Sequence, residues 1–181
     1  MNVSRVNIED RVAKHRWMAE AYRDAYWRRG VKEGEKYEEW KFADNAEYWS
    51  PYFTGNIVIK LGGMVVDVAT YATMEAKSYS VKFPDWGPVD FKCWPSDNGF
   101  VMRTLFRGHQ VDSGEEMSFY SVGFVETNDE FEITSWQTFV NGDEFSPFLE
   151  AAIGVRGPFV NGHEEYFMAV DQHLKKYGLS T

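Results

Sequence analysis

The spacing of apolar residues changes character partway along the chain. Between Ile8 and Arg29, the residues Met18, Tyr22, Ala25 and Tyr26 recur at helical spacing and mark the inner face of a long helix. Glu9 and Asp10 suit its positive N-terminal end, Arg28 and Arg29 suit its C-terminal end, and Gly30 supplies a stop. A short second helix is expected over residues 35–42, ending in a turn at Asp44-Asn45. "AEYWS" follows as a short strand, broken by Pro51, which cannot donate to a ladder. Beyond Gly62-Gly63, a third helix is expected from Met64 to about Ser80, with Val65, Ala69, Ala72, Ala76 and Tyr79 on one side. "FPDWGP" ends it.

Alternation then replaces the helical period. "VDFKCW", "FVMRTLFRGH", "EMSFYSVGFVET" and "FEITSWQTFV" read as successive antiparallel strands, with Asn98-Gly99 at the tip of the first turn. A short helix near residues 148–153 and a last helix over "HEEYFMAVDQHLKKYG" complete the chain. Helices segregated from strands define an α+β fold. The early helices must cover one face of a long antiparallel sheet. Such a sheet curls without closing over them, which leaves a cone with a hydrophobic cavity. No repeat or linker interrupts residues 1–181, so a single domain is expected, with a helical extension from about residue 145 to its end.

Charge and composition narrow the partners. The net charge is −9 with no dense Lys/Arg patch, so no nucleic acid partner is expected, and an anionic membrane would repel this surface. No apolar run reaches the roughly 18 residues a spanning helix needs. The N-terminal stretch lacks a signal-like apolar region, and one cysteine excludes an internal disulfide; together they fit a cytoplasmic location. Cys93 reads as a small strand residue. Aromatic residues make up 17% of the chain, with seven Trp, fourteen Phe and ten Tyr. That exceeds what packing usually needs. Two readings stay open: an unusually aromatic core, or the wall of a site for a flat apolar ligand.

The order of elements, with Phe42-Ala43-Asp44-Asn45-Ala46, Tyr48, Pro51 and Gly55 between the second and third helices, resembles the nuclear transport factor 2-like superfamily. SnoaL-like cyclases, ketosteroid isomerases and scytalone dehydratases belong to it. Ser50 stands where the isomerases carry a carboxylate base, and the dehydratases' His pair has no clear counterpart. The aromatic load and the length look most like the diarylpropane lyases, which act on lignin-derived dimers. That resemblance implies a cofactor-free lyase: a benzylic hydroxyl leaves to give a quinone methide, the terminal hydroxymethyl departs as formaldehyde, and a stilbene remains. The alternatives are a dehydratase, isomerase or polyketide cyclase acting on another hydrophobic molecule, or a non-catalytic binding or oligomerisation module.

Metal-ligand spacings, nucleotide motifs and a nucleophile elbow are absent from the sequence, so neither metal nor organic cofactor is expected. What remains is acid–base chemistry among aromatic residues. Tyr22, Tyr26 and Tyr48 are candidate proton carriers, each readable also as a core residue with a satisfied hydroxyl. Tyr48 alternates with Ala46 and Ser50, the side that faces the cavity in the related isomerases. Lys60 is a candidate for holding a phenolate or acting as base, or is a solvated surface lysine. Arg103 and His109 share a strand face with Arg107; they serve the site if that face points inward and meet solvent or another subunit if it points outward. Trp49, Tyr120, Phe124 and Trp136 are candidate substrate walls, Tyr120 and Phe124 being placed on one face with Trp136 beside them. Large apolar residues on the uncovered sheet face predict a homo-oligomer, most simply a dimer.

Overall fold

The computed structural model describes residues 7–28, 39–52, 65–67, 75–160 and 162–179. Helix α1 (Ile8–Arg28) leads into strand β1 (Glu39–Trp49) and a short strand β2 (Val65–Asp67). Residues 75–80 are helical (α2). Strands β3 (Gly87–Pro95), β4 (Gly99–His109), β5 (Glu116–Thr127) and β6 (Ile133–Val140) follow, then helices α3 (Gly142–Ile153) and α4 (His163–Lys176). The strands form one sheet in the order β2-β1-β6-β5-β4-β3. Among the described strands, only the β1–β6 pairing is parallel. The result is the α+β arrangement that the segregated pattern predicts.

Alternation along β4 shows how the sheet divides inside from outside. Phe100, Met102, Thr104 and Phe106 are buried, while Arg107 and His109 on the opposite face are exposed. Helix α1 packs on β3 and β4, and α3 packs on β5. The buried face of α1, with Met18, Ala19, Ala25 and Tyr26, thereby joins Phe119, Val125, Ile133 and Phe148 in one core.

Two side chains fasten α1 to the far ends of the strands. Arg11 donates to the carbonyls of Asp97 (2.7 Å), Asn128 (3.1 Å) and Asp129 (3.3 Å), and its guanidinium lies over the Phe131 ring. One turn later His15, fully buried, donates from Nδ1 to the Ser96 carbonyl and accepts at Nε2 from the Thr127 hydroxyl, both at 2.7 Å. Between these turns Gly99 adopts φ 152°, and a Cβ there would lie 2.0 Å from the Val125 carbonyl oxygen. The sharp entry into β4 therefore requires glycine.

Four expectations need correction. Residues 39–42 are strand, not helix: Trp40 and Phe42 alternate inward with exposed Lys41, and Lys41 pairs with Glu132 beside β6. Pairing on both edges overrides the charged, helix-like composition of this segment. Asp44-Asn45 is accordingly an irregularity within β1, between Phe42 and Glu47, rather than a turn between elements. Val65–Asp67 is β2, antiparallel to β1, where a helix from Met64 is expected; the β-branched valines fit a strand, and only residues 75–80 of that span are helical in the described part. Finally, α3 begins at Gly142, not near Phe148. Asn141 caps it by accepting from the Asp143 N–H, and Pro147 is held inside the helix instead of marking its start.

Candidate active site

Tyr22 and Tyr26 stand one turn apart on α1, so their phenols share a side. Their hydroxyl oxygens are 2.8 Å apart. Tyr26 donates to Glu75 Oε2 at 2.7 Å, and Tyr166 on α4 donates to Glu75 Oε1 at 2.6 Å. Tyr79, one turn beyond Glu75 on α2, is hydrogen-bonded to Tyr166. A carboxylate thus gathers two phenols, and each phenol is joined to a second.

The direction of these bonds follows from proton counting. A phenol has one proton. Tyr26 commits its proton to Glu75, so Tyr22 donates to Tyr26; by the same count Tyr79 donates to Tyr166. Every O–H points toward the carboxylate, and the outer ends of the chain are the oxygens of Tyr22 and Tyr79.

Electrostatics keep the phenols protonated. Burial pushes the Tyr22 hydroxyl far above its ordinary value, the Glu75 charge adds to that, and the bond with Tyr26 offsets part of it. Tyr79 is raised in the same way, first by burial and then by Glu75. Burial also raises Tyr48; its hydrogen bond with Thr138 opposes the rise and Glu75 adds to it. None of the three ionises at neutral pH. They can pass protons only as a relay, with the carboxylate as the terminal acceptor.

An aromatic box holds the Tyr22 end of the chain. Tyr22 stacks on Trp40 (centroids 5.6 Å apart, 20° between planes) and meets Trp136 edge-on at 5.5 Å, while Trp40 and Trp136 lie 5.1 Å apart. Tyr48 tilts against Trp136 at 6.3 Å, and Phe42 stacks on it at 6.5 Å. Ala46 and Ser50 are buried on the same side of β1 as Tyr48. The stretch "WKFADNAEYWS" therefore contributes both box and core.

The structure brings together Tyr22, Tyr26, Tyr48 and Trp136 from among the candidates. Lys60 lies outside the described residues. Arg103 and His109 sit on the outer face: Arg103 pairs with Asp90 (2.6 Å) and covers the Tyr120 ring, and His109 bonds Asp85 (2.7 Å) beside Glu116. Tyr120 and Phe124 are exposed on that same outer face, and Trp49 packs there against Phe139 at 5.0 Å. Register explains the correction. Trp136 lies opposite Val125, whereas Phe124 lies opposite Gln137, so Trp136 and Phe124 point to different sides. Inward positions go to Phe119 and Val125, leaving Tyr120 and Phe124 outside.

Sequence reasoning missed Glu75, Tyr166 and the box role of Trp40. The available signal was the pair Glu75 and Tyr79, four residues apart, on a segment whose apolar side already held Ala76 and Tyr79. Nothing local announced that Tyr166, 91 residues on, donates to the same carboxylate. Among the described residues, no group of three or more His, Cys, Asp or Glu side chains is placed to hold a metal ion.

No family model and no curated protein matches the chain. Solved structures do. AclR from Streptomyces galilaeus matches with a TM-score of 0.47 at 12% identity, covering 81% of this chain and 89% of its own. A phenazine biosynthesis-related protein from Pseudomonas aeruginosa matches with a TM-score of 0.43 at 16% identity over 79% of this chain and 87% of its own. A SnoaL-like polyketide cyclase from Agrobacterium tumefaciens matches with a TM-score of 0.38 at 11% identity over 80% and 98%. The chain is similar to these proteins in the outline of its fold.

Proposed function

We propose that this protein is an acid–base enzyme acting on an aromatic small molecule, and that Tyr22, Tyr26 and Glu75 take a proton from it. The observation that carries the reading is the directed hydrogen-bond chain. A substrate O–H or acidic C–H presented to the Tyr22 oxygen transfers its proton there; the Tyr22 proton moves to Tyr26, and the Tyr26 proton moves to Glu75. The substrate is left anionic and Glu75 neutral, with no net change in charge. Reversal of the same chain returns a proton. A half-buried carboxylate that accepts from two phenols is a base whose proton can be delivered along the phenol chain. The chemistry uses residues of this chain alone, so exhaustive chelation and dialysis are expected to leave turnover intact.

Within that class, the diarylpropane lyase reaction fits the relay. Loss of water across the phenol and the benzylic hydroxyl gives a quinone methide. Removal of the proton from the terminal hydroxyl then expels formaldehyde, and the released electron pair rearomatises the ring. Diarylpropane becomes stilbene, water and formaldehyde. The second proton removal is the step assigned to Tyr22 and Glu75. Lys60 stays the candidate for the phenolate. The exposed Tyr120, Phe124 and Trp94 on the outer face support docking of a second copy of the chain there. The test is incubation with 1,2-diaryl-1,3-propanediols, aromatic polyketides and ketosteroids, following formaldehyde and new ultraviolet absorbance. Formaldehyde with stilbene absorbance supports the lyase. Conversion of another panel member without formaldehyde moves the assignment to a dehydratase, isomerase or cyclase.

A further inference from the structure

The indole N–H groups of Trp40 and Trp136 are buried and have no hydrogen-bond partner among the described residues. Trp40 is 2% exposed and Trp136 9%. A buried donor without an acceptor is a standing cost in a folded protein, and such groups are rare. Here two of them belong to neighbouring rings, and both rings pack on Tyr22. Trp136 Nε1 lies over Gly123 on the inner face of β5, 3.6 Å from where a Cβ would stand. Any larger residue at position 123 would crowd the Met102 side chain first, at 2.8 Å. Glycine thus leaves this indole edge uncovered by a neighbouring side chain of β5.

We infer that Trp40 and Trp136 donate to an acceptor oxygen of the bound molecule, and that the substrate class is therefore aromatic compounds carrying a carbonyl or phenolate oxygen beside the group that loses its proton. This rests on the proposed acid–base reading and deepens it. Tyr22 cannot supply that donor, because its proton is committed toward Tyr26 and Glu75. The site so built separates two roles: the Tyr22 oxygen accepts, and the indoles donate. Charge that develops on the substrate oxygen as its proton leaves meets fixed dipoles in a place with no solvent to compete. The donors cost nothing further to desolvate on binding, since folding has already removed them from water.

The test compares two probes of one shape, acetophenone and α-methylstyrene, in which C=O is replaced by C=CH2. Binding is followed on the full chain with indole nitrogen-15 label. Trp136 is assigned by its contact with Gly123, and both indoles by Trp40→Phe and Trp136→Phe. The expected result is roughly fivefold tighter binding of acetophenone, the size of one net hydrogen bond. The Trp40 and Trp136 indole N–H resonances are expected to move downfield with acetophenone alone, and the preference to fall in each Phe variant. The resonance comparison in the native chain holds whether or not the variants fold. Equal affinity for the two probes with unmoved indole resonances overturns the inference and leaves the aromatic site standing. Saturation by neither probe in the millimolar range overturns the inference together with the aromatic-substrate reading, whereas the proton relay is judged separately by turnover.

Discussion

Protons at single residues carry both the proposed catalysis and the acid stability of this protein. Burial lowers the affinity of His15 and His173 for a second proton; nearby Arg11 acts in the same direction on His15, as do Lys176 and Lys82 on His173. Their folded pKa values lie below the ordinary 6.5. Above that value neither state takes the proton, and the stability contribution is complete. As pH falls below it, the unfolded chain binds protons that the folded chain refuses, so stability drops, by at most about 1.4 kcal/mol per pH unit for each histidine. Urea midpoints should therefore fall between about pH 7.5 and about pH 5.5, and the fall should be shallower in His15→Gln. An unchanged slope in that variant would remove His15 from the account. Legibility at this scale was uneven. Tyr22 and Tyr26 were readable because helical spacing places both on one face. Glu75 was not, because a charged residue reads as solvent-facing unless its partners are known, and those come from α1 and α4.

Elements were legible in proportion to the regularity of their pattern. "EMSFYSVGFVET" gave β5 with its ends, since a Pro-free run of twelve residues rich in aromatic and β-branched side chains reads as a strand whichever face is inside. The parallel partner of β1 left no local mark; β1 pairs with β6 across more than eighty residues of chain, and its charged composition resembled a helix. Turns that hold α1 in place follow a different logic, through backbone carbonyls that any sequence offers. Arg11 binds three of them in a fork that lysine cannot reproduce. Arg11→Lys should lower stability by about 2 kcal/mol, the range for hydrogen bonds to a charged group. Gly99→Ala should cost at least as much, because of both its φ and the Val125 carbonyl. Chemical denaturation measures both, and a change under about 0.5 kcal/mol in Arg11→Lys, the scatter of ordinary surface substitutions, would show that the tether does not hold α1.

At the scale of the whole molecule, the sheet has an aromatic inside and an aromatic outside. The outer face carries Trp94, Tyr120 and Phe124 exposed, with Trp49 and Phe139 beside them. That pattern predicts a dimer across the sheets, and Phe124→Glu should yield a monomer in sedimentation with the inner core undisturbed. A native monomer at micromolar concentration would contradict it. The fold class followed from the segregation of helices and strands. The choice of inner face did not, because β4 and β5 carry large apolar residues on both sides, and only the register with β6 and the seat of α1 decide between them. Glu75 is the proposed terminal proton acceptor for an aromatic substrate. This role is tested most directly by the turnover of Glu75→Gln on the substrate that the panel identifies, with the melting temperature measured alongside. Glutamine keeps an acceptor for a phenol but cannot take up the proton. The expected result is a loss of at least about 100-fold, the lower range for a general base, in a protein that still folds. Turnover equal to the parent's would contradict it.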